Sequence, residues 1–326
     1  MRALGFFALG LVAFASAPQA AVNEGPEFTP FEPGHSDIVL AARLNGRGPF
    51  RFLLDTGSTH TAMSAETAEA IGAPVVAKAA MGSAAGSRET LVVHVKSLEV
   101  GSMTVSNLLA SVIELAEIPG GSTIDGVIGH DALGSLRYTI DFRQRRVVWT
   151  RSDATDARGS SVELQVSGGR FLIALPQRQS LLRLVPDSGA ASLLLFAPNI
   201  GLPVTPLPTL VTLTTTSGHT DVRMATVREL HVGSLLLRDV PAVVAERDRS
   251  EPVEVDGLLP LHLFRKICAG AEVIVQQGHC RVPVPCHQAD FDDVIIGQWL
   301  DLDHLSQPLR GNSRRRRFPD CFHQVR

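Results

Sequence analysis

The sequence predicts an all-β protein with short helices, built from two homologous lobes in one chain. The first observation is a pair of similar turns, in which an apolar run ends in Asp, a small hydroxyl residue and Gly. One turn is Leu53–Ser58 and contains Asp55; the other is Leu184–Gly189 and contains Asp187. The two Asp residues are 132 positions apart (187 − 55).

The second observation is that nearly the same offset returns elsewhere in the chain. Leu98–Ser102 matches Leu230–Ser234 at an offset of 132 residues (230 − 98), and Asp125–Ile128 matches Asp256–Leu259 at 131 residues (256 − 125). Three markers in one order at nearly one spacing indicate a duplicated chain. Each lobe therefore carries one Asp-containing turn.

The third observation is the period-two alternation that precedes each turn. Residues 38–44 alternate, Asn45-Gly46 with Gly48-Pro49 makes a turn, and Phe50–Leu54 runs back, which predicts a hairpin that delivers Asp55 to a strand end. Residues 171–175 and 181–185 repeat this hairpin before Asp187. Burying a carboxylate is costly unless it has a partner, so the two turns predict a site.

Short helices are expected directly after the turns. Ser64 is placed to cap a helix that continues through Ala70, and Gly72 followed by Pro74 closes it. By the internal repeat, Leu193–Ala197 with Gly201 is the expected counterpart of that helix in the second lobe, shortened by Pro198.

At these residues the chain resembles the aspartic proteases. Each half is similar to a retropepsin-type subunit, and the two halves joined in one chain resemble the bilobal, pepsin-like arrangement over residues 36–275. The resemblance implies that Asp55 and Asp187 form a catalytic dyad. It implies support for the catalytic loops from five neighbours: Thr56, Gly57, Ser58, Ser188 and Gly189.

The resemblance also implies flap hairpins that close over a peptide. The first tip is placed at Gly82, Ser83 and Gly86, within a small, flexible stretch between β-prone runs. The second is placed at Ser217 and Gly218. From composition alone, an ordinary surface hairpin remains an equal alternative at each position.

Three departures distinguish the second lobe from the first. Pro186 precedes Asp187 and removes a backbone donor, and Ala190 stands where the first lobe has Ser58, whose hydroxyl is expected to reach the outer oxygen of Asp55. Pro260 replaces Gly129 in the apolar element behind the catalytic loop. We therefore expect Asp187 to be less well supported than Asp55. Asp125, in the corresponding element of the first lobe, is expected to form a turn and not to act in catalysis.

The chain divides into six segments. Residues 1–21 contain Arg2 followed by a short apolar run, which predicts a signal peptide cleaved after Ala20 or Ala21. An uncleaved membrane anchor is the alternative. The others are an extended lead-in (22–35), the N-terminal lobe (36–150), a linker (151–161), the C-terminal lobe (162–275) and a tail with Cys and Arg (276–326). The expected location is secreted, or periplasmic if the source is a Gram-negative bacterium, with no stable membrane span after cleavage.

Composition adds little about partners. A formal net charge of −3 gives no argument for nucleic acid. Four cysteines, Cys268, Cys280, Cys286 and Cys321, permit one or two disulfides in the tail, and their spacing does not favour zinc. We expect no metal and no cofactor, a peptide or unfolded protein as substrate, and a monomer with pseudo-two-fold lobes.

The leading hypothesis is an exported aspartic endopeptidase that activates water with Asp55 and Asp187. The alternative is a degenerate member of the fold that binds a peptide or a protein partner without turnover, which Ala190 and Pro260 would favour. A third hypothesis pairs Asp55 with Asp55 of a second molecule, but the second lobe already supplies an intramolecular partner.

Overall fold

The computed structural model describes residues 17–24, 28–32, 38–83, 86–115, 124–150, 160–178, 180–197, 202–215, 218–246, 255–266, 272–276 and 279–282. Eleven strands and two helices belong to the first half: β1 Gln19–Val22, β2 Phe28–Pro30, β3 Val39–Leu44, β4 Arg47–Leu54, β5 Ala62–Met63, α1 Ala65–Ala70, β6 Val75–Ser83, β7 Gly86–Val100, β8 Met103–Val112, β9 Gly126–Ile128, α2 His130–Leu133, β10 Arg137–Asp141 and β11 Arg146–Thr150.

The described part of the second half contains ten strands and a 3₁₀ helix: β12 Ser160–Ser167, β13 Arg170–Pro176, β14 Leu181–Asp187, β15 Leu193–Ala197, β16 Val204–Thr215, β17 Gly218–Val232, β18 Leu235–Glu246, β19 Gly257–Pro260, the 3₁₀ helix Leu261–Lys266, β20 Glu272–Gln276 and β21 His279–Val282. The predicted all-β architecture with short helices and two lobes is confirmed.

The two halves share one strand order. In the first lobe β8, β5, β9, β4 and β3 are consecutive neighbours in the sheet, and in the second lobe β18, β15, β19, β14 and β13 follow in the same sequence. Strand β4 pairs in parallel with β9 as β14 does with β19, and the antiparallel pairs β5–β9 and β15–β19 also correspond. The internal repeat therefore reflects a repeated fold.

A six-stranded antiparallel sheet joins the lobes, in the order β2, β11, β10, β20, β21 and β12. At its centre β10 of the first lobe pairs with β20 of the second, with Tyr138 opposite Val275. Tyr138, Ile140 and Trp149 are buried in an apolar core that includes residues of both lobes, such as Phe171 and Phe264. The sheet and this core hold the two Asp-containing turns in one unit.

Local sequence explains the elements that present Asp55. Asn45 and Gly46 both have positive φ, 50° and 75°, which is the conformation that a tight β3–β4 hairpin needs. In the antiparallel register Val39 lies opposite Leu53 and Leu40 opposite Phe52. The Ser64 hydroxyl accepts a hydrogen bond from the Thr67 N–H at the start of α1, which confirms the predicted helix cap.

The predicted helix at Leu193–Ala197 is wrong. These residues form strand β15, which pairs in parallel with β18 and antiparallel with β19. Leu193, Leu194 and Leu195 are all buried, so sheet neighbours cover successive side chains. A short apolar run of this kind does not distinguish a buried strand from a helix by its periodicity.

Several strands cross the predicted segment boundaries. Strand β12 begins at Ser160, within the predicted linker, and β20 and β21 continue the described structure to Val282, past the predicted lobe boundary at residue 275. Strand β1 lies across the predicted leader boundary and pairs with Met103–Ser106 of β8. Residues 1–16 of the predicted signal peptide and residues 283–326 of the tail lie outside the described residues.

Candidate active site

The two predicted aspartates lie at equivalent strand ends. Strand β4 ends at Leu54, and the Asp55 N–H donates to the Ile128 carbonyl of β9 at 3.0 Å. Asp187 is the last residue of β14 and lies opposite Pro260 of β19. A pair of neighbouring strands thus fixes the backbone at each carboxylate. In the second lobe β19 forms in full despite Pro260, so this departure leaves the supporting element intact.

Each carboxylate is held by two backbone N–H groups of its own turn. Asp55 Oδ1 accepts from the N–H groups of Gly57 and Ser58, both at 3.0 Å. Asp187 Oδ1 accepts from Gly189 at 2.7 Å and from Ala190 at 3.0 Å. Each turn thus aims two of its own backbone N–H groups at its carboxylate, which favours the ionised form.

The side-chain hydroxyls of the two turns cross between the lobes. The Thr56 N–H donates to Ser188 Oγ at 3.1 Å, and the Ser188 N–H donates to Thr56 Oγ1 at 3.0 Å. Each hydroxyl then donates in turn to a carbonyl of the opposite lobe: Thr56 to Pro186 at 2.8 Å, and Ser188 to Leu54 at 2.6 Å. Thr56 and Ser188 are buried, so these four hydrogen bonds lock one turn against the other.

The glycines allow the carboxylates to approach across the lobe boundary. A Cβ placed on Gly57 would lie 2.3 Å from Asp187 Oδ2, and one on Gly189 would lie 2.9 Å from Asp55 Cγ. The side-chain interaction between Asp55 and Asp187 acts to lower the pKa of Asp55 and to raise the pKa of Asp187. Two carboxyl groups so close share a proton, because both cannot ionise at ordinary cost.

Burial and the interaction between the two carboxyl groups shift the pKa values of Asp55 and Asp187. Burial raises the pKa of Asp55, while hydrogen bonds from Asp187, Ser58 and Gly57 and the positive charge of Arg170 act to lower it. Burial and the charge of Asp55 raise the pKa of Asp187 well above the usual range of an aspartic acid. The arrangement therefore favours an ionised Asp55 beside a protonated Asp187.

The structure corrects the predicted difference between the turns. The Ser58 hydroxyl donates to the His60 carbonyl at 3.1 Å and not to the outer oxygen of Asp55; its support of Asp55 comes from its backbone N–H. Ala190 supplies the same backbone donor to Asp187. Pro186, whose missing N–H was expected to weaken support, contributes the carbonyl that accepts from Thr56.

Both predicted flap regions lie in hairpins. Strands β6 and β7 pair as far as Ser83 and Gly86, with Gly82 opposite Ser87, and β16 and β17 pair as far as Thr215 and Gly218. Ser217 lies outside the described residues. Met81 packs against an apolar cluster that also includes Leu53, two residues before Asp55. This contact brings the arm of the first hairpin close to the strand that ends in the site.

A further carboxylate, Asp131, supports the loop that follows Asp55. The sequence analysis did not identify it. Asp131 of α2 accepts from the Thr61 N–H at 2.9 Å and from the Thr61 hydroxyl at 2.8 Å, and burial raises its pKa. It lies two residues after Gly129, and the repeat carries His262 at the matching position (131 + 131), so the repeat gave no signal for this carboxylate. It anchors the segment that follows the Asp55 turn.

Asp125 was predicted to form a turn, but its carboxylate contacts a neighbouring strand. It accepts from the Arg51 N–H of β4 at 2.7 Å, and Asp256 accepts from the Arg183 N–H of β14 at 2.8 Å in the second lobe. No group of three or more His, Cys, Asp or Glu residues in the described ranges could hold a metal ion. The described residues also contain no helix long and apolar enough to cross a membrane.

The family described as aspartyl protease matches residues 40–132 and 178–262, one match for each lobe. A crystal structure of a retropepsin-like aspartic protease from Rickettsia conorii matches with a TM-score of 0.28 and 14% identity, covering 40% of this chain and 90% of that one. No curated protein matches the sequence. Since the family matches cover more than half of the chain and include both Asp-containing turns, the protein belongs to the aspartyl protease family.

Proposed function

We propose that the protein is an exported aspartic endopeptidase in which Asp55 and Asp187 of one chain activate water. The observation that carries the proposal is the hydrogen-bonded pair of buried carboxyl groups, held by equivalent backbone donors and by the Thr56–Ser188 exchange across the lobes. Family membership supports a peptide as the substrate.

The chemistry follows from the unequal protonation of the pair. Ionised Asp55 takes a proton from a bound water as the water oxygen attacks the peptide carbonyl carbon, and Asp187 gives its proton to the carbonyl oxygen. The resulting tetrahedral diol returns one hydroxyl proton to Asp187 as the C–N bond breaks. Asp55 gives its proton to the leaving nitrogen. One water is consumed, an acid and an amine are formed, and both aspartates return to their starting states.

Ala190 and Pro260, the two residues that favoured the non-catalytic alternative, no longer favour it. Ala190 supplies the same hydrogen bond as Ser58, and Pro260 ends a strand that is fully paired with β14. A single-chain dyad also supports a monomer over the hypothesis of two paired Asp55 residues. The test is incubation of the purified protein with an unfolded protein, followed by mass spectrometry of the products. We expect internal cleavage that a statine-type inhibitor blocks, and absence of cleavage from pH 2 to 8 would contradict the proposal.

The pH profile is a direct prediction of the raised pKa values. Because kcat/KM requires Asp55 to be ionised and Asp187 to be protonated, activity falls as the pH drops through the pKa of Asp55 and as it rises through that of Asp187. Both pKa values are raised, so we expect a bell-shaped profile whose acidic limb lies above the usual range of an aspartic acid. The measurement is kcat/KM of a quenched fluorescent peptide across this range. A rate that keeps rising into alkaline pH would show that a different group acts as the base.

The proposal of export predicts a processed N-terminus. Cleavage after Ala20 or Ala21 would divide β1 and leave Asn23, whose N–H donates to the Ser102 carbonyl at 2.7 Å. Edman sequencing of the protein recovered outside the cytoplasm of the producing cell is expected to start at Ala21 or Val22. A chain that keeps Met1 and sediments with membranes would support the uncleaved anchor.

A further inference from the structure

The segment that follows the Asp55 turn, residues 58–61, is bound to the start of helix α2. The N–H of His130 donates to the Ser58 carbonyl at 2.8 Å, and the N–H of Asp131 donates to the Thr59 carbonyl at 3.2 Å. Two successive backbone donors of α2 thus hold two successive carbonyls of the segment.

The Asp131 carboxylate holds the far end of the same segment. The Thr61 N–H lies 2.9 Å from Asp131 Oδ1 and 3.0 Å from Oδ2, and the Thr61 hydroxyl donates to Oδ1 at 2.8 Å. Thr61 Oγ1 also accepts from the Gly129 N–H at 3.2 Å, so its single hydrogen is left for the carboxylate. Thr61 is fully buried, and a buried donor that loses its acceptor is costly. These contacts between Asp131 and Thr61 are called the clamp below.

The clamp acts on a segment that supplies a hydrogen bond to Asp55. Ser58, the first residue of the segment, donates its N–H to Asp55 Oδ1 at 3.0 Å. The segment is held at Ser58 by α2 and at Thr61 by the clamp, so it has little freedom to move away from the aspartate. The clamp can therefore set the direction of this donor without touching the dyad.

The second lobe does not carry the same pair of residues. The strand registers place Leu193 at the position of Thr61 and His262 at that of Asp131. Leu193 has no hydroxyl and His262 has no carboxylate, and residues after β19 form a 3₁₀ helix where the first lobe has α2. The turn of the second lobe still presents two N–H groups to its own carboxylate. The clamp is thus a feature of the lobe that carries the proposed base.

We propose that Asp131 is a positioning residue that acts through Thr61 and Ser58 to hold Asp55 in the geometry that the general base needs. This inference rests on the proposed function for its catalytic meaning. A catalytic group must stay within about 0.5 Å of its productive place, and hydrogen bonds from residues behind it supply that precision. A carboxylate suits this task, because hydrogen bonds to a charged acceptor are stronger than those between neutral groups.

Direct electrostatic action of Asp131 on the dyad is the competing explanation. Burial raises the pKa of Asp131, while the hydrogen bonds from Thr61 and the charge of His60 act to lower it. His60 is exposed, and burial lowers the pKa of His130. A neutral side chain that keeps an acceptor oxygen at position 131 separates the two explanations, because it preserves hydrogen bonds of the clamp and removes the charge.

The first test therefore compares Asp131→Ala with Asp131→Asn. The Ala variant removes both acceptor oxygens, whereas the Asn variant keeps one of them. We expect kcat of the Ala variant to fall roughly tenfold with little change in KM, since the backbone donors of α2 still limit the displacement to well below about 1 Å. The Asn variant is expected to keep most of the wild-type kcat. Equal losses in the two variants would show that the charge acts on the dyad directly, and would overturn the role of the clamp.

Hydrogen exchange of the backbone N–H groups that bind the dyad provides a readout without turnover. We expect the Ser58 N–H of Asp131→Ala to exchange roughly tenfold faster or more than in the wild type, because the segment opens locally. The N–H groups of Gly189 and Ala190, which bind Asp187, should keep their wild-type rates. Equal acceleration of all three, or an unchanged rate at Ser58, would overturn the proposal.

Asp141→Ala is the matched control. Asp141 is a buried carboxylate of the first lobe that also accepts from a backbone N–H, that of Gln144, at 2.9 Å. Its removal is expected to leave the Ser58 rate no faster than those of the second-lobe turn. If Asp131→Ala does not fold, Thr61→Val removes the hydroxyl of the clamp and carries the same comparison. If the wild type cleaves nothing but Ser58 still exchanges selectively faster, the protease proposal fails and the hold of Asp131 on the Asp55 turn stands.

Discussion

Asp55→Asn and Asp187→Asn are each expected to lower kcat by about 10²–10⁴-fold, the usual contribution of a general base or acid. Asn at position 55 cannot accept a proton from water, and Asn at position 187 cannot give one to the carbonyl oxygen. Since each carboxylate keeps two backbone donors in place, the neutral amide should fit without displacing the turns. The measurement is single-turnover cleavage of a peptide substrate at the optimum pH.

The matched control is Asp221→Asn, an exposed aspartate in β17 of the second lobe, which should retain wild-type activity. Activity that survives Asp187→Asn but not Asp55→Asn would remove the intramolecular dyad and favour pairing between two molecules. Inhibitor binding without cleavage in the wild type would instead favour the non-catalytic alternative. Gel filtration of the same samples distinguishes a monomer from a dimer.

Gly57→Ala is expected to have the second largest effect, although it adds only a methyl group. The new Cβ would lie 2.3 Å from Asp187 Oδ2, so one turn must move or the carboxylate must rotate. Either change separates the two carboxyl groups and disturbs the four hydrogen bonds between Thr56 and Ser188. We expect a loss of about 10²-fold or more in kcat, since a displacement of about 1 Å has this cost, and about 1–3 kcal/mol in the free energy of unfolding.

Urea denaturation and peptide cleavage measure the two effects separately. Gly82→Ala is the control for the unfolding measurement alone, because a Cβ there would meet nothing within 4 Å. Its unfolding midpoint should stay close to that of the wild type. If Gly57→Ala retained wild-type kcat, the close approach of the lobes at this point could not be required for activity.

The two Asp-containing turns could be located from the sequence because their residues are close to each other along the chain. Asp, a hydroxyl residue and Gly at the end of an apolar run define the turn locally, and the repeat supplies the second turn and its topology. The role of Asp125 could not be found in the same way. Its carboxylate accepts from the N–H of Arg51, 74 residues earlier, and its local sequence does not reveal that contact.

The features that were missed depend on contacts between distant residues. Leu193–Ala197 became a strand because β18 and β19 cover it, which its own composition does not reveal. The Ser58 hydroxyl turned to the His60 carbonyl although the repeat placed it near Asp55. Phe171 packs on His130, 41 positions earlier (171 − 130), and so joins the second lobe to the helix that follows β9. Neither propensity nor a repeat offset contains that information.

The joining sheet also constrains how a newly synthesised chain reaches its final shape. One edge of β10 pairs with β20. In this pairing Tyr138 lies opposite Val275, which is 137 residues later in the chain (275 − 138). When the ribosome has made only the first half, this edge of β10 is still unpaired. It is covered once β20 has been made. Contacts of such long sequence separation slow folding, because the loop between them must be closed first. The two Asp-containing turns thus come together late, after both halves have been made.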